Sequence, residues 1–445
     1  MAETARETAL HILERCRRDR AFSDALLADS IAKAGLDGRD AALATRLCYG
    51  VLQNTLLCDF YIDSFTTNPS KIEPKVRDIL RLSVYQILFM DKIPPHAAVS
   101  EGVRLCKKTG FARASGLVNA VLRKIADSRE CLPEIPKTDE CVYLSTKYSM
   151  PAPLTALLLA EFGTETEAFL AAENTPAPSV IQTNTLKTSA DALFDSLTAR
   201  GLDLKVHGMI PGCFEIESAG DLTILPEYRE GLFYVQDAAA RMAVLAAGIK
   251  PGQTVLDACA APGGKSFAAA IAMEDRGTIF SRDIHEKKLK LISAGAGRLG
   301  ITSIQTACMD AKTPDPALTG ICDVVLADAP CSGLGVIRKK PDIRFRDVSQ
   351  LEALPEVQLS ILNGLSACVK SGGVLLYSTC TVLRRENDAV ANAFLAAHPE
   401  FAAEGFALPD PVGAVSSGRL TLLPQIHGTD GFYICRLRKH NDASG

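Results

Sequence analysis

Two cysteines in the C-terminal half of this 445-residue chain stand in settings that differ from those of the other cysteines. Cys331 lies in the run Asp328-Ala-Pro-Cys331-Ser-Gly, and Cys380 lies in the run Tyr377-Ser-Thr-Cys380-Thr381. A free cysteine is usually a small buried apolar residue. A thiol in a polar loop at a strand end, near N–H donors, is in the setting that lowers its pKa and makes it a nucleophile. We therefore predict covalent chemistry at these two thiols, and their spacing does not say which one attacks.

A candidate cofactor turn precedes the cysteines, between the apolar pair Val255-Leu256 and a helical pattern that begins at Lys265. Glycine lets backbone N–H groups approach a ligand closely, and a helix start adds partial positive charge that suits nucleotide-like groups. A P-loop is excluded because Cys259 stands where its first glycine is required, and the G-x-G-x-x-G spacing is absent. The predicted cradle consists of Cys259, Ala260, Ala261, Pro262, Gly263, Gly264 and Lys265.

Three aspartates come at or just after the ends of successive predicted strands. Asp283 lies about twenty residues beyond the glycine turn, the separation at which a carboxylate can accept ribose hydroxyls. Asp310 follows the next strand, and Asp328 ends the one after it. Ligands of open α/β sheets bind at the carboxyl ends of the strands. We therefore predict that the three carboxylates face one crevice, with Asp283 near ribose and Asp310 near adenine.

The elements that must position these residues divide the chain into three parts. Residues 233–445 alternate strands with helices, which predicts a parallel doubly wound α/β sheet. Residues 151–232 show a β-α-β-β order that predicts a small α+β module, and residues 128–150 lack periodicity and are interpreted as a linker. Residues 1–127 carry apolar positions at helical spacing and predict an all-helical bundle.

Composition narrows the class of protein. No apolar run approaches the roughly 18 residues that span a bilayer, so we expect a cytoplasmic protein that binds no membrane. The fourteen cysteines form no C-x-x-C pair, which predicts neither a metal site nor a disulfide framework and indicates a reducing compartment. A formal charge of −4 gives no global argument for nucleic-acid binding. We expect a monomer.

Several of these segments resemble a known family. The run from Asp257 to Lys265 is similar to the first motif of S-adenosylmethionine-dependent RNA cytosine-5 methyltransferases, and the two cysteine runs resemble their motifs IV and VI. The segments Ile93–Glu101 and Gly116–Arg123 resemble the NusB family of RNA-binding antitermination factors. Together with Leu423–Phe432, their order is similar to that of the bacterial RsmB/Sun type within the NOL1/NOP2/Sun superfamily.

The resemblance implies a NusB-like bundle, an RRM-like module and a class I Rossmann-like methyltransferase domain. It implies S-adenosylmethionine as cofactor and 16S ribosomal RNA as partner. It assigns attack on cytosine C6 to Cys380 and release of the product to Cys331, while Asp328 contacts both the cytosine edge and the cofactor site. Two other hypotheses are a methyltransferase that acts on transfer RNA, and a non-catalytic RNA-binding or antitermination factor.

Basic residues supply the predicted RNA contacts. One cluster follows Cys331 and consists of Arg338, Lys339, Lys340, Arg344 and Arg346, and we predict that it clamps phosphate. A second cluster near the start, Arg15, Arg17, Arg18 and Arg20, is also a candidate for phosphate contact. In the module, Gln182 stands where the resembling family usually has arginine, so it lacks the cationic fork that arginine offers.

Overall fold

The computed structural model describes residues 3–19, 23–217 and 220–441. The chain forms two compact units. The first consists of Met1–Thr175 with Ile337–Val348, and the second of Pro176–Val336 with Ser349–Gly445. A search of the described residues for a helix long and apolar enough to cross a membrane finds none.

The first unit is helical, as its apolar spacing predicts. Side chains such as Leu47, Leu80 and Leu122 are fully buried in one apolar core. Its helices are α1 Ala5–Asp19, α2 Ser23–Ala34, α3 Gly38–Gln53, α4 Thr55–Ser64, α5 Pro74–Phe89, α6 Pro95–Lys108, α7 Ser115–Asp127, α8 Glu140–Lys147, α9 Ala152–Phe162 and α10 Thr166–Glu173.

The segment after residue 127 contains a helix. Helix α8 lies inside the segment 128–150 that was interpreted as a linker, and Asp139 caps it by accepting a hydrogen bond from the backbone N–H of Val142. Helix α9, which was predicted within the α+β module, and helix α10 lie in the first unit. A helix of 8 to 11 residues gives a short periodic signal, and that signal does not show which unit the helix packs against.

The second unit begins with a small antiparallel sheet whose strand order is β2-β3-β1-β4. Its elements are β1 Ser179–Thr183, α11 Ala190–Ala199, β2 Leu204–Val206, β3 Cys213–Ile216, α12 Pro226–Arg229 and β4 Phe233–Val235. Gln182 is buried in this sheet and donates a hydrogen bond to the carbonyl of Gln236 at 3.2 Å. The side chain at this position therefore has a structural role here.

The remaining elements of the second unit form the large sheet and its covering helices. They are α13 Ala238–Ala247, β5 Thr254–Asp257, α14 Gly264–Ala272, β6 Thr278–Asp283, α15 Glu286–Leu299, β7 Ile304–Cys308, β8 Cys322–Asp328, α16 Leu354–Ser366, β9 Val369–Thr379, α17 Asp388–Ala397, β10 Phe401–Ala403, β11 Phe406–Ala407, β12 Ala414–Val415, β13 Arg419–Leu422, α18 Pro424–His427 and β14 Phe432–Lys439.

The large sheet has the order β10-β14-β9-β8-β5-β6-β7, with β13 paired to β14. Strands β9, β8, β5, β6 and β7 are parallel, as predicted, and β8 and β9 are neighbours. Strand β14, predicted as a terminal strand, is antiparallel to β9, so the sheet is mixed. The parallel strands place the ends of β5, β6, β8 and β9 at one edge, where ligands bind in this class of sheet.

Candidate active site

The turn between β5 and α14 is shaped by its glycines and by the neighbouring strand end. Gly263 has a φ of 115°, a region that side chains rarely adopt, and a Cβ there would lie 2.6 Å from Cζ of Phe267. The backbone N–H of Ala261 donates to Oδ2 of Asp283 at 3.2 Å. These contacts hold the backbone of the turn against the end of β6.

Asp283 is largely buried at the end of β6 and also accepts a hydrogen bond from the backbone N–H of His285 at 2.8 Å. Each carboxylate oxygen can accept more than one hydrogen bond, so capacity for a ligand hydroxyl remains. The next residue, Ile284, exposes 58% of its surface although it is apolar. An exposed apolar side chain beside a carboxylate suits the flat base of a nucleoside, and the sequence interpretation did not single out Ile284.

Four carboxylates surround the thiol of Cys259. Burial raises the pKa of this thiol, and the nearby charges of Asp328, Asp257, Asp283 and Asp310 raise it further. Cys259 is therefore a protonated thiol in the wall of the site. The three predicted strand-end aspartates, Asp283, Asp310 and Asp328, therefore all act electrostatically on this one thiol.

Asp257 lies fully buried beneath the turn. Its Oδ2 accepts a hydrogen bond from Oγ of Ser266 at 2.6 Å, and Ser266 also shares a 2.7 Å hydrogen bond with Ser281. Burial raises the pKa of Asp257 to about 6, against the lowering effect of the Ser266 hydrogen bond and the Lys265 charge. Its Oδ1 has no partner among the described residues.

Gln236 is a second buried polar residue beside the turn. Both atoms of its amide lack a partner among the described residues, and a Cβ on Gly264 would lie 3.3 Å from its Nε2. An unpaired buried amide costs folding free energy, which makes Gln236 a candidate for contact with a polar ligand. Sequence reasoning missed Gln236 because it follows a short strand outside the predicted turn.

Lys265 links the turn to the end of β8. Its Nζ lies 2.7 Å from Oδ2 of Asp328 and 5.2 Å from the centre of the Phe432 ring. Burial disfavours the lysine charge, but the Asp328 carboxylate outweighs it, so the pKa of Lys265 is raised and the ammonium group is retained. The other Asp328 oxygen accepts from Oγ of Ser378 at 2.9 Å, which joins β8 to β9.

The two predicted thiols meet at this same edge of the sheet. Sγ of Cys331 lies 3.2 Å from Sγ of Cys380, although 49 residues separate them in the chain. The hydrogen bond to Cys380, burial and the charges of Cys380 and Glu386 all raise the pKa of Cys331 well above its usual value. The raised pKa favours the protonated thiol form of Cys331.

The basic run after Cys331 does not form the uniform cluster that was predicted. Arg344 is fully buried and donates to the carbonyl oxygens of Gln53 and Tyr148 at 2.8 and 3.1 Å. A buried guanidinium cannot reach a phosphate, so the prediction of an RNA contact at Arg344 was wrong. Lys340 is exposed, Arg338, Lys339 and Arg346 are partly buried, and this run belongs to the first unit.

The arginines of the second cluster fall into different environments. Arg17 donates to Oδ2 of Asp78 at 2.9 Å, which leaves it less available to a phosphate. Arg20 lies outside the described residues.

Comparison with known protein families gives three matches along the chain. A model described as 16S rRNA methyltransferase RsmB/F matches residues 244–438. The NusB family model matches residues 3–127, and a ferredoxin-like domain of RsmF/B-like methyltransferases matches residues 150–223.

Individual proteins resemble the chain over nearly its whole length. A Bacillus subtilis protein named probable ribosomal RNA small subunit methyltransferase B is 37% identical, covering 98% of this chain and 99% of the relative. A Synechocystis protein of the same name is 34% identical with the same coverage. The crystal structure of a methyltransferase homolog protein from Pyrococcus horikoshii is 26% identical with a TM-score of 0.57, covering 68% of this chain and 99% of that one.

Proposed function

We propose that this chain, which belongs to the RsmB/F family of 16S rRNA methyltransferases, methylates carbon 5 of a cytidine in 16S ribosomal RNA through a covalent bond from Cys380 to carbon 6. Family membership makes the chain an S-adenosylmethionine-dependent methyltransferase and confirms the predicted resemblance. The observation that carries the finer proposal is the 3.2 Å approach of Cys331 and Cys380 beside Asp328.

The residues around the glycine turn fit the cofactor. Gly263 lets the turn pack closely against Phe267, the amide of Gln236 beside Gly264 lacks a partner among the described residues, and Asp283 offers oxygens to ribose hydroxyls. When bound, S-adenosylmethionine supplies an electrophilic methyl group. The cradle Cys259–Lys265 holds the cofactor, and Asp310 lies near the adenine end.

A covalent step is needed because C5 of cytosine is a weak nucleophile. The Cys380 thiolate adds to C6, which forms the carbon–sulfur bond and moves electron density to C5. C5 then takes the methyl group, solvent water takes the C5 proton, and the electron pair of that C–H bond expels the thiolate from C6. The Cys331 thiol assists this release through its hydrogen bond to the departing Cys380 sulfur, and Asp328 holds the cytosine edge.

The site of methylation can be tested in cells. Bisulfite sequencing of ribosomal and transfer RNA from a strain lacking the gene should show loss of one 5-methylcytidine in 16S rRNA, with transfer RNA unchanged. The wild-type chain should restore the signal and Cys380→Ser should not. A signal that disappears from transfer RNA instead would assign the enzyme to that substrate, and no change in either RNA would refute cytosine-5 methylation.

The roles of the two thiols can be tested on denaturing gels with substrate RNA and S-adenosylmethionine. Cys331→Ser should yield a slowly migrating band that nuclease removes, because attack proceeds and release is impaired. Cys380→Ser and the double variant should yield no band, because a serine hydroxyl is barely ionised at neutral pH. A band with Cys380→Ser alone would reverse the two assignments.

A further inference from the structure

Two polar residues shortly after Cys380 are buried, although charged residues flank them in the sequence. Glu386 is fully buried and Asn387 is 1% exposed, just before α17. One of the Glu386 oxygens, Oε1, has no partner among the described residues. A buried carboxylate with an unpaired oxygen costs folding free energy, so stability alone does not explain its place here.

Glu386 holds the loop of Cys331. Its Oε2 accepts a hydrogen bond from the backbone N–H of Ser332 at 2.9 Å and another from Nε2 of Gln358 at 3.0 Å. Nε2 of Gln358 also donates to the carbonyl of Pro330 at 3.0 Å. Glu386 and Gln358 together thus fix the backbone on both sides of Cys331.

Asn387 holds the loop of Cys380 in the same way. Its Oδ1 accepts a hydrogen bond from Oγ1 of Thr379 at 2.6 Å, and its Nδ2 donates to the carbonyl of Thr381 at 3.0 Å. These two contacts fix the residues on both sides of Cys380. Glu386 and Asn387 are adjacent in the chain, and each therefore holds one of the two cysteine loops by hydrogen bonds.

The two loops are also joined directly. The hydroxyls of Ser332 and Thr381 share a 2.6 Å hydrogen bond, and the backbone N–H of Gly335 donates to the carbonyl of Cys380 at 3.0 Å. These hydrogen bonds keep the two loops together. Loss of the contacts made by Glu386 or by Asn387 should therefore displace the loop that this residue holds more than the other loop.

We propose that Glu386 and Asn387 are positioning residues with separate tasks. Glu386 positions Cys331, the thiol that assists release, and Asn387 positions Cys380, the thiol that attacks. The inference rests on the covalent function proposed above. Thiol addition and elimination depend on placement of sulfur relative to the ring, and a displacement of about 1 Å can cost roughly 100-fold in rate. Each substitution should therefore impair one step.

The test measures adduct formation in the Cys331→Ser background, where release is blocked. Adding Asn387→Ala should slow appearance of the RNA–protein adduct by about 10- to 100-fold. Adding Glu386→Ala should leave that rate within about threefold, because the contacts of Asn387 with the Cys380 loop are intact. With Cys331 present, Glu386→Ala should let the adduct accumulate during turnover, and Glu386→Gln, which keeps an acceptor for Ser332 and Gln358, should do so to a smaller extent. Asn387→Ala should not let it accumulate.

A matched control is Asp388→Asn, since the Asp388 carboxylate accepts a hydrogen bond from Tyr433 and contacts neither thiol loop. It should leave both steps unchanged. Asn387→Asp retains an acceptor for Thr379 but loses the donor to Thr381, and it should give an intermediate rate; it also serves if Asn387→Ala fails to fold. Thermal unfolding and S-adenosylmethionine affinity are measured for every variant.

The outcomes separate the two levels of inference. If the Cys331→Ser parent forms no adduct, the covalent function itself fails. If the parent forms it and folded Glu386 and Asn387 variants slow it equally, or neither changes any step, the division of tasks is overturned. Selective slowing by Asn387 variants together with accumulation in Glu386→Ala supports it.

Discussion

The cofactor turn and the pair of thiol loops lie at the same edge of one sheet but are built in different ways. The turn from Asp257 to Gly264 is held by residues near it in the chain, such as Ser266 and Asp283. The thiol loops come from strand ends 49 residues apart, and Glu386 and Asn387 hold them from a third segment.

This difference implies that the two regions can be damaged separately. The turn binds a ligand, and its geometry depends on one strand-to-helix connection. The thiol loops carry out the covalent steps, and their geometry depends on a buried hydrogen-bond network. Variants of one region should therefore change cofactor affinity, and variants of the other should change turnover.

The largest expected effect comes from the thiol loops. Cys380→Ser should lower methylation by about four orders of magnitude or more, the scale on which loss of a nucleophile acts. Its S-adenosylmethionine affinity by calorimetry should match that of the unaltered enzyme, because the turn is intact. Cys131→Ser, which removes an exposed cysteine of the first unit, is the control and should retain full activity. A large loss of cofactor affinity in Cys380→Ser would show that the two regions are coupled.

The same contrast explains which features the sequence could predict. The turn, Asp283, Asp310 and the two thiols are recognisable because their signals lie within a few residues of each strand end. Glu386 and Asn387 were missed because Leu383-Arg-Arg-Glu386-Asn387-Asp388 has the composition of a solvated charged segment. Arg344 shows the opposite error, because it was predicted to contact RNA and is buried. A basic run has the same sequence pattern whether or not one of its residues is buried. The antiparallel β14 depends on pairing with a distant strand, which local patterns do not reveal.

The second prediction concerns stability and acts through Asp257. Its pKa is about 6 in the folded chain and about 3.8 ordinarily, so the folded state binds the proton more tightly. The resulting stabilisation is present in full below the lower value and is lost as pH rises through about 6. The loss amounts to at most about 3 kcal/mol, because each pKa unit corresponds to about 1.4 kcal/mol.

Denaturant unfolding of Asp257→Asn between pH 4 and 8 tests whether stability falls with rising pH because of this residue. The variant should lack the decline between about pH 4 and 6 and should be more stable than the parent at neutral pH. Asp221→Asn is the opposing control, because hydrogen bonds from Thr223 lower the pKa of Asp221 and make its charge stabilising. Equal pH profiles for the parent and Asp257→Asn would contradict the assignment.

The third prediction concerns Asp283, which supports the cofactor turn from the end of β6. Asp283→Ala should reduce S-adenosylmethionine affinity by roughly 1.5–3 kcal/mol, the range for hydrogen bonds to a charged group. It removes the acceptor for ribose and also the support for the Ala261 N–H. Titration calorimetry measures the change, and Glu286→Gln, at an exposed position on α15, should leave the affinity as it was. Unchanged affinity in Asp283→Ala would refute its role in ribose binding.

The smallest expected effect on cofactor affinity distinguishes a buried amide that binds a ligand from a buried amide that stabilises the fold. Gln236 has no partner for either amide atom among the described residues, so Gln236→Leu should raise the free energy of unfolding by about 1–2 kcal/mol and lower cofactor affinity by about 1 kcal/mol. Gln182 is equally buried, but its Nε2 donates to the Gln236 carbonyl, so Gln182→Leu should destabilise the chain and leave cofactor affinity unchanged. Unfolding and calorimetry on both variants give the comparison. If Gln236→Leu destabilises the chain as Gln182→Leu does, an internal contact satisfies the amide and Gln236 does not belong to the cofactor turn.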